Sequence, residues 1–151
     1  MAKVIEVFCV GRIKDSPYTD LTKDYCKRLT YPQLLITDTK NIPLQQEKKI
    51  LECFQARVIP QTLILALMDK GKSMNSEVFS QWLGKQVSTY QKILFVIGAA
   101  YGIPQGILEQ CQTQISLSSF TFPHELARLV LVEQIYRAET QRLGHPYHHG
   151  E

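Results

Sequence analysis

TLILALMDKGK (Thr62–Lys72) and ILFVIGAAYGIPQG (Ile93–Gly106) each open on an apolar run of strand length and close on a glycine-bearing loop. Thr62–Met68 is nearly continuous in apolar residues, the pattern of a parallel strand covered on both faces. Ile93–Ile97 reads as the next buried strand. Between them, Ser76 can cap a helix carrying Val78, Phe79, Trp82, Leu83 and Val87. Toward the N-terminus, Lys3–Val10 is a predicted first strand ended by Gly11. Ser16 followed by Pro17 opens a helix to about Leu29, on which Tyr18, Leu21, Tyr25 and Leu29 recur at helical spacing. Leu34–Thr37 follows as a short strand, and Leu44, Leu51, Phe54 and Val58 mark one face of a helix ended before Pro60. Toward the C-terminus come a short helix from about Pro104 to Cys111, a strand near Ile115–Leu117 and a long helix from about Pro123 to Gln141. Alternation of this kind predicts one domain over residues 1–151, an α/β three-layer sandwich with a mainly parallel sheet.

Composition agrees with that class. At 151 residues, 44% of them hydrophobic and 21% charged, the chain can bury a core without disulfides or metal. The run Val4–Val10 is interrupted by Glu6 and lacks a basic leader, so it does not read as a signal peptide. The longest apolar stretches fall short of the roughly 20 residues of a membrane span. A soluble chain is expected. Cys9, Cys26, Cys53 and Cys111 are scattered without a CxxC pair, which argues against zinc or a redox dithiol and for reduced thiols in a cytoplasmic protein. Residues 1–97 hold 14 Lys/Arg against 9 Asp/Glu, whereas residues 98–151 hold 3 against 5. Arg12, Lys14, Lys23, Lys27 and Arg28 in the basic part can form an electrostatic footprint for phosphates.

In open parallel sheets, ligands settle beyond the carboxyl ends of the strands. Three loops qualify: Leu67–Gly71, Gly98–Gly106 and Leu117–Phe122. Their glycines permit close approach of backbone to a ligand, but the spacing departs from GxGxxG and there is no P-loop lysine, so a phosphate-cradling nucleotide site has poor support. In the last helix Leu126, Ala127, Leu129, Val130, Leu131, Val132, Ile135 and Tyr136 cover nearly the whole circumference. Such a helix must be buried on several sides, and a homodimer through it is predicted. His124 and Arg128 share a face of this helix, and Glu133 and Arg137 are spaced to pair. Arg128 and Arg137, on an otherwise apolar helix, are candidates for anion or RNA contact. The end, GHPYHHGE, places His145, Tyr147, His148 and His149 in a segment suited to ordering over a partner, and no metal site is expected there.

ILFVIGAAYG, ISLSSFTFPHELARLVLVEQIYRAE and GHPYHHGE, in that order, closely resemble the RlmH family of SPOUT methyltransferases. The resemblance covers the whole chain. It implies a C-terminal trefoil knot, an obligate homodimer, S-adenosyl-L-methionine as cofactor, and methylation of a pseudouridine in large-subunit ribosomal RNA on the assembled ribosome. Carried over by position, cofactor contacts fall on Leu67, Gly98, Leu117, Ser118, Ser119, Phe120, Thr121 and Phe122. For such a reaction His124, Arg128, Arg137, Tyr147 and His148 are the catalytic candidates: His148 or His124 to assist proton loss, the tyrosine to stack on the base, Arg128 or Arg137 to hold phosphate or a carbonyl oxygen. The sequence departs from the family at Ala99, where a second glycine is usual, and at Met68, where an acidic residue is common. If position 99 needs positive φ, alanine adds strain there. Two other readings stay open, an RNA-binding ribosome assembly factor of the same fold and a transfer RNA methyltransferase.

Overall fold

The computed structural model describes residues 1–144 and Tyr147. The elements follow in the order β1 (Val4–Cys9), α1 (Pro17–Arg28), β2 (Gln33–Asp38), α2 (Glu47–Gln55), β3 (Thr62–Ser73), α3 (Ser76–Thr89), β4 (Lys92–Ile97), α4 (Gln105–Leu108), β5 (Thr113–Ser116) and α5 (His124–Arg142). The strands form one sheet in the order β2-β1-β4-β3-β5, with every pairing parallel. The predicted three-layer α/β sandwich is thus observed.

Strand alternation builds the two outer layers. Ile5, Val7, Leu65, Ile93 and Phe95 face a core closed by Phe79, Leu83 and Val87 of α3 and by Leu131, Val132 and Ile135 of α5. Phe8, Ile64, Leu94 and Val96 face the opposite core, closed by Ile50 and Phe54 of α2 and Ile107 of α4. Each fully buried Leu, Ile or Phe contributes about 1.5–3 kcal/mol, which is why both faces of the central strands are apolar. Glu6 is the exception on β1, only 1% exposed. Its Oε1 meets Lys92 Nζ at 2.7 Å, and its Oε2 accepts from Thr37 Oγ1 at 2.6 Å, with Arg57 Nε 3.7 Å away.

Helix starts show the local chemistry at work. Ser16 Oγ accepts from Thr19 N at 3.2 Å, as expected of an N-cap. At α3 the cap is Asn75, whose Oδ1 accepts from Val78 N at 2.8 Å, and Ser76 is the first helical residue rather than the cap. The largest departure from the sequence reading is β3, expected to end at Met68 and turn at Gly71. It runs on to Ser73 and pairs with β5 in two registers, Leu67 and Lys72 both opposite Ile115. Gly71 makes this possible: a Cβ there would lie 2.5 Å from the Ile115 carbonyl carbon. Only glycine lets the strand come back so closely onto β5.

One side of α5 is buried within the subunit, through Arg128, Leu131, Val132, Ile135, Tyr136, Ala138, Glu139 and Thr140. Leu126, Leu129, Val130, Glu133 and Arg137 are half-buried. A single subunit therefore covers only part of the apolar circumference.

Candidate active site

The expected Leu67–Gly71 loop lies within β3. The middle of that strand, where its pairing with β5 is interrupted between Leu67 and Lys72, converges with the carboxyl ends of β4 and β5 on a cleft of about 620 Å³, a volume suited to a cofactor-sized molecule. Its wall includes Leu67, Gly98, Leu117, Ser118, Phe120 and Phe122, with His124 at the start of α5. Ser119 and Thr121 belong to the same turn but are exposed and do not line the cleft. Ile103, within the selected Gly98–Gly106 loop, also lines it, as do Pro123 and Ala127, which sequence reasoning did not assign to a ligand. A small residue such as Ala127 on an apolar helix carries no signal until the topology sets that helix against the β4 loop.

Two glycines shape the β4 loop differently. Gly102 takes φ +78° and its N–H donates to the Ala99 carbonyl at 2.8 Å, closing a tight turn. Gly98 is needed for proximity, since a Cβ there would lie 2.8 Å from the Gly102 carbonyl carbon. Ala99 is not at positive φ; among the described residues Gln61 is the one non-glycine that is. The strain expected at position 99 is therefore absent. On the β5 side, Ser116 Oγ donates to the Ser118 carbonyl at 2.9 Å, and Ser118 Oγ accepts from Phe120 N at 3.0 Å. That turn leaves Phe120 78% exposed at the rim.

The donor set tests which cofactor fits. The wall combines apolar side chains with loop backbone, and Lys70 is its one Lys or Arg. Such a surface suits an adenine ring and a cationic sulfonium better than a polyphosphate. The residues present fit S-adenosylmethionine.

Tyr147 marks a second cluster, on α1 and α5. Its hydroxyl lies 2.9 Å from that of Tyr25 and donates to Glu133 Oε2 at 3.3 Å. Its ring meets Tyr136 edge-on, with centroids 4.8 Å apart and an 82° interplanar angle. Burial, the Tyr25 hydrogen bond and the Glu133 charge push the phenol's pKa up, so it stays neutral. Arg137 pairs with Glu133 at 3.1 Å, the expected helical spacing, and its guanidinium sits 5.5 Å from the Tyr147 ring centroid. Arg28 stacks over both Tyr25 and Tyr136, at 4.7 and 5.0 Å. His148 lies outside the described residues.

Arg128 is placed otherwise than a surface contact requires. It is 2% exposed, its Nη2 donates to Thr19 Oγ1 at 3.1 Å, and its Nε has no partner. In this subunit it therefore presents no guanidinium to an external phosphate. Beside it, burial raises the Cys9 thiol to about 11, a shift that Arg128 opposes. All four cysteines are free.

The comparisons with known proteins extend over the same elements. A family profile described as "Predicted SPOUT methyltransferase" matches residues 4–148. Three relatives bear the name "Ribosomal RNA large subunit methyltransferase H". The one from Bacteroides fragilis is 35% identical over 149 residues, covering 93% of this chain and 95% of its own. That from Gloeobacter violaceus is 34% identical over 151 residues, covering 97% and 99%. That from Prochlorococcus marinus is 38% identical over 144 residues, covering 95% and 91%. The profile takes in all five strands, the cleft at their ends and the whole of α5, and on that breadth the chain belongs to the SPOUT methyltransferase family.

Proposed function

We propose that the chain is an S-adenosylmethionine-dependent methyltransferase acting on a ring nitrogen, N3, of a pseudouridine in large-subunit ribosomal RNA. The observation that carries this reading is the cleft between the interrupted middle of β3 and the ends of β4 and β5, with loop backbone in its wall and Lys70 as its one Lys or Arg. Leu67, Gly98 and the Leu117–Phe122 turn would hold the adenine edge and ring there, although Ser119 and Thr121 would act through the turn's backbone conformation. When bound, the cofactor supplies a methyl group on a sulfonium centre.

This chain's residues do the rest. The imide nitrogen of the base keeps its proton near neutrality, so a base that removes it raises the population of nucleophile. His124 is exposed at the cleft, at the first position of α5, and is placed to do so, and His148 is the second candidate. Aligning the nitrogen and excluding water would be the chain's larger contribution, because the reaction would need no strong oxyanion stabilisation. Tyr147 would stack on the target base, and Arg137, held by Glu133, would hold phosphate or a carbonyl oxygen. Arg128 would act from within the fold, positioning α1 through Thr19.

The homodimer belongs to the same proposal. Leu126, Leu129 and Val130 on α5, together with exposed Tyr18 and Leu21 on the neighbouring α1, form an apolar strip for a second copy to cover. The tail of one subunit would then complete the cofactor cleft of the other. The trefoil knot that the family implies would bring the loops after β4 and β5 together at that cleft. A ribosomal substrate implies a cytoplasmic location, and no described helix is long and apolar enough to cross a membrane.

The test incubates the protein and labelled cofactor with ribosomes lacking the modification, then maps the labelled nucleotide. Label in a large-subunit pseudouridine is expected; label only in transfer RNA, or none despite cofactor binding in calorimetry, would reject this reading for one of its two rivals. Deleting Gly144–Glu151 is expected to abolish turnover while sparing cofactor affinity, and retained turnover would remove the tail from the mechanism.

A further inference from the structure

A second cleft, larger than the first at about 910 Å³, runs along the free edge of β2. Lys23 and Lys27 of α1 stand on one wall, Arg57 beyond α2 on the other, and the loops after β1 and β2 add Arg12 and Lys40. Against these five cations the cleft holds Asp15 and Asp38, and Asp38 is already engaged, accepting from Ile13 N at 2.9 Å. Among the described residues Arg12, Lys23, Lys27 and Lys40 make no ion pair, and Arg57 makes only the 3.7 Å contact with Glu6. An independent charge lies below. Buried Arg128 reaches Thr19, a residue of the cleft wall, and has no carboxylate partner among the described residues. A guanidinium in that low-dielectric position is poorly screened and adds to the positive potential of the cleft.

We propose that this cleft is a second RNA site, holding a phosphodiester backbone of ribosomal RNA away from the reacting base; it rests on the function proposed above. The forked guanidinium groups of Arg12 and Arg57 and the point charges of the lysines match a run of phosphates. An open strand edge is also a template for a protein β-strand. Charge decides between them: a basic peptide is repelled, whereas RNA releases counterions on binding. The protein thereby gains affinity without enlarging its catalytic cleft, and a homodimer presents the feature twice.

The test uses Lys23→Gln/Lys27→Gln/Lys40→Gln, three exposed side chains outside the catalytic machinery. Initial rates over a range of unmodified ribosome concentrations are expected to show KM raised at least tenfold and kcat within twofold. Equilibrium binding to the same ribosomes, measured without cofactor, should weaken equally. The slope of log binding constant against log salt should flatten by about two, at roughly 0.7–0.9 per phosphate contact. Unchanged melting and unchanged S-adenosylmethionine titration show that fold and cofactor cleft are intact. A wild-type KM, affinity and salt slope in the variant overturn the proposal. If the wild type transfers no methyl group yet its ribosome binding depends on these lysines, the activity reading fails and this one stands. Photocrosslinking from p-benzoylphenylalanine in place of Asn41 should label ribosomal RNA; a crosslink to ribosomal protein alone overturns the proposal in favour of strand pairing.

Discussion

Gly98→Ala would put a methyl group 2.8 Å from the carbonyl carbon of Gly102 and 3.1 Å from both its Cα and its oxygen. All three atoms are backbone, so none can swing aside as a side chain would. An ordinary contact begins near 3.4 Å, and the 98–102 turn must therefore open by about half an ångström, disturbing the Gly102 N–H bond to Ala99. A misplacement of about 1 Å can cost on the order of 10²-fold in an aligned site. Half of that displacement is expected to weaken S-adenosylmethionine binding about tenfold, or about 1.4 kcal/mol. Calorimetric titration of purified variant and wild type reads the affinity directly. Melting provides the second axis: a strain of this size lowers Tm by about 3–6 °C in a domain of this length. Wild-type affinity in a folded Gly98→Ala protein would refute the assignment of this turn to the cofactor.

Glu6→Ala strands Lys92 in the sheet with only the Arg57 carbonyl, 2.7 Å away, as a partner. Breaking a buried pair costs about 3–5 kcal/mol, so Tm should fall by about 6–20 °C, and a fall under 2 °C contradicts the account. Gly84→Ala on α3 should do the reverse, because a Cβ there meets nothing nearer than Arg142 Cδ at 3.9 Å. Calorimetric melting should register about 0.5–1 kcal/mol of stabilisation, whereas any loss would show that the site is tighter than the structure indicates. Burial raises Cys9 and Cys111 to about 11 and Cys26 to about 12, from 9.0. The folded chain then holds protons that the unfolded chain releases, so this stability is complete below pH 9 and is lost as pH rises toward 11–12. Urea midpoints should decline over that window and Cys9→Ala should shallow the decline; identical profiles would count against the buried thiol.

The architecture was legible because periodicity reports burial: Ile93–Ile97 could be apolar at every position only between two helical layers, and it lies there. Strand order was not, since nothing in the run of residues says that β1 sits between β2 and β4. The extension of β3 to Ser73 was hidden for a related reason, because Gly71 reads as a turn until its neighbour across the ladder is known. Of the site, the three segments were chosen because each follows a predicted parallel strand, and two of them are loops, whereas Leu67–Gly71 lies within β3; the individual cofactor positions came from the family resemblance. Arg128 could not be placed, because an arginine on an apolar helix looks the same whether it faces a ligand or Thr19. The basic footprint divided on folding. Arg12, Lys23 and Lys27 enter the β2 cleft, Arg28 turns onto the tyrosines instead, and Lys40 and Arg57 arrive from elsewhere in the chain.

β5 touches the sheet through β3 alone, and it does so by a ladder that Gly71 allows to resume after a detour. The β5 side of the candidate cleft is thus joined to the sheet by a single seam at its margin. A bound methyl donor, gripping both sides of that seam, would act as its final fastener and raise the cost of unpicking it from the C-terminal side.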